Sequence, residues 1–408
     1  MVLMNIDSGD IGRRVSYWRA RRGYTRRQLA DRVGRSVSWL VKVERGERAL
    51  VRLPMLERMA RALEIDVQVL VEDVAANRSA GCPDTVEIRG IKAALGCYGT
   101  LLRSPSAVAE PDLCQVGQQV KYACAAWLNA HFSVLGRMLP GLILKAQLAS
   151  EAASGQARVT AARDLVMVYR LASSLLLKFE AREIAWLAAD RAIAVARAAD
   201  DLVCLARASR SVARAMTEVG QRPEAIAVLT TMATRMEPHV GDDRDLMSLY
   251  GMLLLPVEIA AAHRGDAALA LETHREVSAV AARLGTGYNH PGTAFGLANV
   301  ALHRLAALVR MGEGGAAMAY AETVDPTMLS ELPRERRANY WLDLCQGAVL
   351  TKRYDSAVDA LSRAEQLAPE EVRCRPVAHR LIGTLLSEPG VGTTTRLRQL
   401  AKRAGVAA

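Results

Sequence analysis

The patterns that build familiar catalytic sites are missing from this 408-residue chain. It has no H-E-x-x-H, G-x-S-x-G or G-x-x-x-x-G-K-[ST], the spacings of a zinc protease, a nucleophile elbow and a phosphate loop. Gly390-Val-Gly392-Thr-Thr and Gly312-Glu-Gly-Gly315 are glycine-rich, yet neither follows a predicted strand or carries the phosphate lysine, so both read as loops. Cysteines stand at 82, 97, 114, 124, 204, 345 and 374, with no C-x-x-C and none at ligand spacing from a histidine. They read as reduced thiols, not as disulfides or metal ligands. His239 near Asp242, Asp243 and Asp245 has the composition of a metal cluster, and a solvated turn between helices explains it equally well. No catalytic residue, metal or cofactor is therefore expected, and the chain does not read as an enzyme. The N-terminus MVLMNIDSGD carries acids and lacks the apolar core of a signal peptide. No uncharged apolar run reaches the roughly eighteen residues that span a bilayer, so a cytoplasmic protein without a membrane partner is expected.

What is present is positive charge in one place. The net charge is +10. Between Ile11 and Arg61 fifteen basic residues face only Asp31, Glu44, Glu47 and Glu57, and the remainder is close to neutral. Charge confined in this way suits a polyanionic partner. The length itself points to two or more domains.

Within the basic region lies TRRQLADRVGRSVSWLVKVERG, residues 25–46. Thr25 followed three residues later by Gln28 is a capping box, and Gly34 suits the tight turn that ends a short helix. A second helix from about Ser36 to Arg45 would bury Leu40 and Val43 and turn Val37, Ser38, Val41 and Lys42 outward. Further helices are predicted at Ile11–Arg22, Pro54–Leu63 and Val67–Val71. The run Arg19…Gly23, Thr25, Gln28-Leu29-Ala30, Gly34, Ser36…Leu40, Val43-Glu44-Arg45-Gly46 resembles the XRE family of lambda-repressor-like helix-turn-helix domains. The resemblance covers roughly residues 11–72 and implies a five-helix domain whose third helix enters the DNA major groove. It implies base-reading positions at Val37, Ser38 and Lys42, and a structural Arg19–Glu44 pair between the first and third helices. The DNA-facing set is then Arg26, Arg27, Ser36, Val37, Ser38, Trp39, Lys42, Arg45, Arg48 and Arg52. Lys42 suits guanine acceptors and Val37 a thymine methyl, while Arg26, Arg45 and Arg48 suit phosphates. Trp39 fits either packing beside the backbone or reading a base. Arg52, on the following loop, fits the minor groove.

Residues 1–10 read as a tail, and 73–111 as a linker with one embedded helix near Asp84–Tyr98. From 112 to 408 the chain reads as helical throughout. Trp341-x-x-Leu344-Cys345-x-x-Ala348, then Ala357-x-x-x-Leu361 and Pro369, is similar to a tetratricopeptide unit. Small crossing residues recur at Ala185, Ala225, Ala270 and Ala317, with Gly220, Gly265 and Gly312 five residues before the last three. Their spacing exceeds the ideal of about 34 residues, so longer helices are expected. The fold class is therefore all-α, a helix-turn-helix domain followed by a tetratricopeptide-like solenoid with an inner groove.

In such units the first helix of each pair lines the groove. That face includes Arg170, Arg207, Arg210, Arg214, Asn299, His303, Asn339, Asp343 and Gln346, which would suit a short peptide or small anionic effector. The combination resembles the peptide-pheromone receptors of Gram-positive bacteria (the RRNPP group), which implies a dimeric, ligand-sensing transcription regulator on an inverted repeat of double-stranded DNA. The preference for Arg over Lys, with abundant Ala, suggests a GC-rich bacterial genome, and a DNA-binding regulator there is expected to be nucleoid-associated in the cytoplasm. A different reading is an interaction scaffold, in which the solenoid grips a partner protein and DNA binding is secondary.

Overall fold

The computed structural model describes residues 8–22, 24–48, 50, 53–63, 65, 70, 85–97, 112–285, 293–392 and 394–406. It divides into two units, Met1–Ala80 and Gly81–Ala408. All described regular structure is helical.

The first unit contains α1 (Ser8–Arg21), α2 (Arg26–Val33), α3 (Val37–Glu44) and α4 (Leu53–Leu63). The capping box forms as the sequence implies. The Gln28 amide N–H donates to Thr25 Oγ1 at 3.2 Å, and the Thr25 N–H to Gln28 Oε1 at 2.8 Å. Gly34 takes the left-handed conformation at φ 68°, and the Ser36 hydroxyl accepts from the Trp39 N–H to start α3. Leu29, Ala30, Val33, Leu40 and Val43 share a core with Ile11, Val15, Trp18, Met59 and Leu63. At Gly12, a Cβ would lie 2.1 Å from the Val43 carbonyl, so α1 and α3 cross where only glycine fits. The predicted helix at Val67–Val71 lies outside the described residues except for Leu70, and Arg52 lies outside them altogether.

The second unit opens with α5 (Thr85–Leu95), which buries Ile91 and Leu95. Seven helical pairs follow. The first is α6 (Leu113–Leu128) with α7 (Phe132–Ala152). Then come α8 (Gly155–Lys178) with α9 (Arg182–Ala199), and α10 (Leu202–Glu218) with α11 (Arg222–Val240). Next are α12 (Arg244–His263) with α13 (Ala267–Leu284), and α14 (Leu297–Arg310) with α15 (Gly314–Thr323). After the short α16 (Pro326–Ser330), α17 (Arg334–Leu350) pairs with α18 (Tyr354–Leu367). The short α19 (Pro369–Arg373) precedes the closing pair α20 (Pro376–Ser387) and α21 (Thr395–Ala404).

All five small crossing residues, Ala185, Ala225, Ala270, Ala317 and Ala357, are fully buried. Helices α8 to α13 run 17–24 residues, which accounts for the long early spacings. The last two spacings have another cause. Between Ala270 and Ala317 the connection between α13 and α14 adds length, and beyond Ala317 the 10-residue α15 is followed by α16. Spacing alone does not separate helix from connector, and the expectation of longer helices is corrected for these units. Among the described residues, α12 alone is long and apolar enough to cross a membrane, and 78% of that stretch is buried within the repeat. Cys374 is disulfide-bonded, contrary to the expectation of thiols throughout, whereas Cys97, Cys114, Cys124, Cys204 and Cys345 are free.

The solenoid closes on itself. Ser133, at the start of α7, donates through its N–H and hydroxyl to Glu370 of α19 at 2.7 and 2.9 Å. Lys178 at the end of α8 lies 2.8 Å from Glu335 and 2.6 Å from Glu371, and all three are buried. Its ammonium also sits 5.1 Å from the ring centres of Trp127 and Phe132. Arg375 holds the other oxygen of Glu371 at 2.6 Å, and Arg380 reaches Glu180 at 2.6 Å. Early and late helices of the array therefore meet through the buried ion pairs of Lys178, and the expected inner groove is narrowed to a partly open cavity.

Candidate functional site

In the first unit the outward face of α3 is the one read from sequence. Val37 is 40% exposed, Ser38 and Lys42 are exposed, and Leu40 and Val43 point into the core. Glu44 fixes this presentation. Arg19 Nε of α1 donates to its Oε1 at 2.5 Å, and Arg26 Nε of α2 to its Oε2 at 2.8 Å. One buried carboxylate thus ties three helices together. Arg26, read as a phosphate contact, has a structural partner while its side chain stays 52% exposed.

An open cleft of about 650 Å³ lies beside α3, lined by Asp31, Gly34, Arg35, Ser36, Ser38, Trp39, Lys42 and Arg48. Of the DNA-facing set, Ser36, Ser38, Trp39, Lys42 and Arg48 come together there. Arg27 is exposed elsewhere, and Arg45 lies 3.8 Å from Glu47. Arg35 was missed by sequence reasoning. Its guanidinium sits 5.9 Å from the Trp39 ring centre, which places the indole within reach of a cation. Its position directly after the turn glycine is the signal that could have found it.

In the second unit a cavity of about 230 Å³ is walled by the inner helices α8, α10, α12, α14 and α17. Arg210, Arg214, Asn299, His303, Asn339 and Asp343 all line it, as the repeat register implies. Arg207 does not. It lies toward the start of α10, near Cys204, Asp201 and Cys124, so the three-arginine stripe runs out of the cavity along the helix axis. Arg170 lines a separate space of about 40 Å³ with Cys124 and Arg336, and donates to the Met167 sulfur at 3.0 Å. Burial lowers the Arg170 pKa to about 10.

Three residues of the expected set, Asn339, Asp343 and Gln346, are already engaged. Asn339 donates through Nδ2 to the Glu335 carbonyl at 2.6 Å and accepts from Arg375 at 2.8 Å, so its amide is not open to a peptide backbone. Arg310 holds Asp343 at 3.0 Å and Gln346 at 3.4 Å. Sequence reasoning did not find Lys178, Glu335, Arg336 or Arg375, which also line the cavity. Burial alone would raise Glu335; the Lys178 ammonium and Arg336 guanidinium outweigh it and hold the carboxyl well below its usual range. Burial, aided by Arg336, pushes His303 down to about 3.

The His239–aspartate group is a helix start. Asp243 caps α12 by accepting from the N–H groups of Asp245 and Leu246 at 2.9 and 3.0 Å. Among the described residues no group of His, Cys, Asp and Glu could hold a metal ion.

Residues 10–73 match a family described as a helix-turn-helix domain. No curated protein matches the chain. Two solved structures are similar at low identity. One is a Rap protein complexed with competence and sporulation factor, 14% identical over 89% of this chain and 99% of that one, with a TM-score of 0.45. The other is PlcR of Bacillus thuringiensis in complex with the peptide PapR7 and DNA, 12% identical over 85% and 98%, with a TM-score of 0.29. At these scores neither likeness carries weight for ligand or mechanism. The capping box, the turn at Gly34, the Glu44 clamp and the family match agree, and this chain carries an N-terminal helix-turn-helix domain followed by a tetratricopeptide-like array of paired helices.

Proposed function

We propose that the protein is a sequence-specific transcription regulator, not an enzyme, that binds DNA through α3 and senses an effector in its solenoid. The observation that carries this reading is the outward face of α3, with Val37, Ser38 and Lys42 exposed beside a cleft holding Arg35, Lys42 and Arg48. One headpiece offers only a few base-reading side chains, so a homodimer on an inverted repeat is the binding form. Two-fold symmetry doubles the readout and sets half-site centres one helical turn apart. The effector is a peptide or small anion, and the site of action is the bacterial nucleoid in the cytoplasm.

The test is selection of genomic fragments by the purified full chain, followed by sequencing. A palindromic consensus and a steep salt dependence are expected. Lys42→Ala should relax preference at its base pair by about 1–3 kcal/mol. Arg48→Ala, at a phosphate position in the same cleft, should instead weaken all sequences alike and reduce the salt slope by about one. A parallel loss in both variants would overturn these roles. A monomer with a single unrepeated footprint would overturn the dimer. Co-purification with one protein and no DNA consensus would favour a scaffold.

A further inference from the structure

Arg210 and Arg214 reach the solenoid cavity from α10, and Arg336 reaches it from α17. Arg336 has Glu335 at 3.4 Å, and that carboxylate is shared with Lys178. Among the described residues, Arg210 and Arg214 have no carboxylate within ion-pair distance. Arg210 Nε donates to the Met252 carbonyl at 3.0 Å, and Arg214 Nη1 to the Ser174 hydroxyl at 3.2 Å. Burial, then the neighbouring guanidinium groups, pushes both below the usual arginine range. Arg210 is buried and Arg214 half-buried, and neither has a directly paired carboxylate; Glu335 and Glu218 nearby offset only part of the charge, and a bound anion would relieve the rest.

Two acceptors line the same cavity from α14. Asn299 is fully buried and its Oδ1 has no hydrogen-bond partner, while its Nδ2 rests 3.8 Å from the Met252 sulfur. His303 Nδ1 lies 2.9 Å from the Asn299 carbonyl, so that nitrogen carries the proton and Nε2 is left as an acceptor. The cavity thus sets cationic donors on two walls, beside the carboxylates of Glu218, Glu335 and Asp343, against neutral acceptors on a third. Leu177, Pro256, Ile259 and Leu302 supply an apolar strip between them.

We infer that this cavity binds a small organic anion bearing an N–H or O–H donor close to its charge, the anionic group held by Arg210, Arg214 and Arg336 and the donor by Asn299 and His303. The inference rests on reading the solenoid as a sensor and names the ligand chemistry of that sensor. The volume of about 230 Å³ lies below the roughly 300–1,000 Å³ of sites for drug-sized ligands. It suits an amino acid, a dipeptide or a small phosphate ester, and is small for an extended oligopeptide to be enclosed. Carboxylate and phosphate satisfy the arginines equally, and the experiment separates them.

The full-length protein is titrated calorimetrically with alanyl-alanine, its C-terminal amide, glycerol 3-phosphate, glycerol and a hexa-alanine peptide, with DNA affinity measured in parallel without effector. Binding of alanyl-alanine through its carboxylate or of glycerol 3-phosphate is expected, with the counterpart lacking the anionic group at least about tenfold weaker. Arg214→Met and Asn299→Asp should each weaken the anion by about tenfold or more, and Arg214→Lys should retain more binding than Arg214→Met. Circular dichroism confirms that each variant is folded. The inference is overturned if neither anion binds up to about 10 mM, if amide and glycerol bind equally well, or if hexa-alanine binds and the small anions do not. Any of these with a DNA consensus intact removes the ligand assignment alone. Anion binding without a DNA consensus removes the regulator reading and leaves the cavity assignment standing.

Discussion

Gly12 shows how much one missing side chain determines. Its Cα hydrogen faces the Val43 carbonyl at the crossing of α1 and α3, so Gly12→Ala must push the two helices apart. Overpacking of this kind costs about 1–3 kcal/mol. Thermal loss of DNA binding should set in at a lower temperature in the variant, and an unchanged profile would show that the crossing yields without penalty. His303 carries a pH dependence. Its folded pKa is about 3 against an ordinary 6.5, so between those values the unfolded chain binds a proton that the folded one does not. Stability is fully present above pH 6.5 and falls as the pH drops through the window, by at most about 1.4 kcal/mol per unit for one group. Burial shifts His263 in the same direction and adds to the upper part of this limb. Urea midpoints between pH 7.5 and 5 should decline, and His303→Gln should flatten the decline. At this scale the sequence was partly legible. Arg210, Arg214, Asn299 and His303 were found because repeat register places them on one wall. Arg207 shares their stripe and still misses the cavity, because a stripe follows the helix axis for about 10 Å over seven residues and the cavity does not. Arg336 stands three residues before Asn339, on the same helical face, so its spacing held a signal.

At the scale of elements, the turn before each second helix tells more than the helices do. Gly220, Gly265 and Gly312 have positive φ, as their place five residues before a crossing alanine implies. Glu180 and Lys352 occupy the same place before Ala185 and Ala357, with φ of 59° and 58°. The turn is therefore common to all five units, and glycine marks it in only three, which is why the repeat looked weaker in sequence than it is in space. A side chain in this conformation costs roughly 1–2 kcal/mol, offset in part by the entropy that glycine would lose on folding. Lys352→Gly should therefore stabilise the protein by about 0.5–1 kcal/mol. A lower urea midpoint in that variant would mean that the lysine makes up for its strained backbone. Helix α5 is a different lesson. Read as part of a linker because proline-rich chain surrounds it, it buries Ile91 and Leu95 within the second unit.

For the whole molecule, the ion pairs of Lys178 change what kind of solenoid this is. Repeat arrays are ordinarily stabilised by nearest neighbours and lose cooperativity with length. Here Lys178 joins Glu335 and Glu371, and Ser133 joins Glu370, across 237 residues in the last case. Removing one partner of such a buried pair costs about 3–5 kcal/mol, because the other charge stays buried and uncompensated. Lys178→Met should lower the unfolding free energy by that amount, shifting the urea midpoint down, and split a single transition into steps. A simple shift at unchanged slope would show that the stack is cooperative without its closure.

The same closure sets a clock on biosynthesis. Ser133 and Lys178 leave the ribosome long before Glu370 and Glu371 exist, and at about 5–20 residues per second the 237 intervening residues take roughly 10–50 s. During that interval α7 and α8 are made but their ionic partners are not, and Lys178 stays in water. The second unit is therefore completed only when its last turn emerges, and a chain ending before Glu370 forfeits the seal on every unit rather than on the missing one.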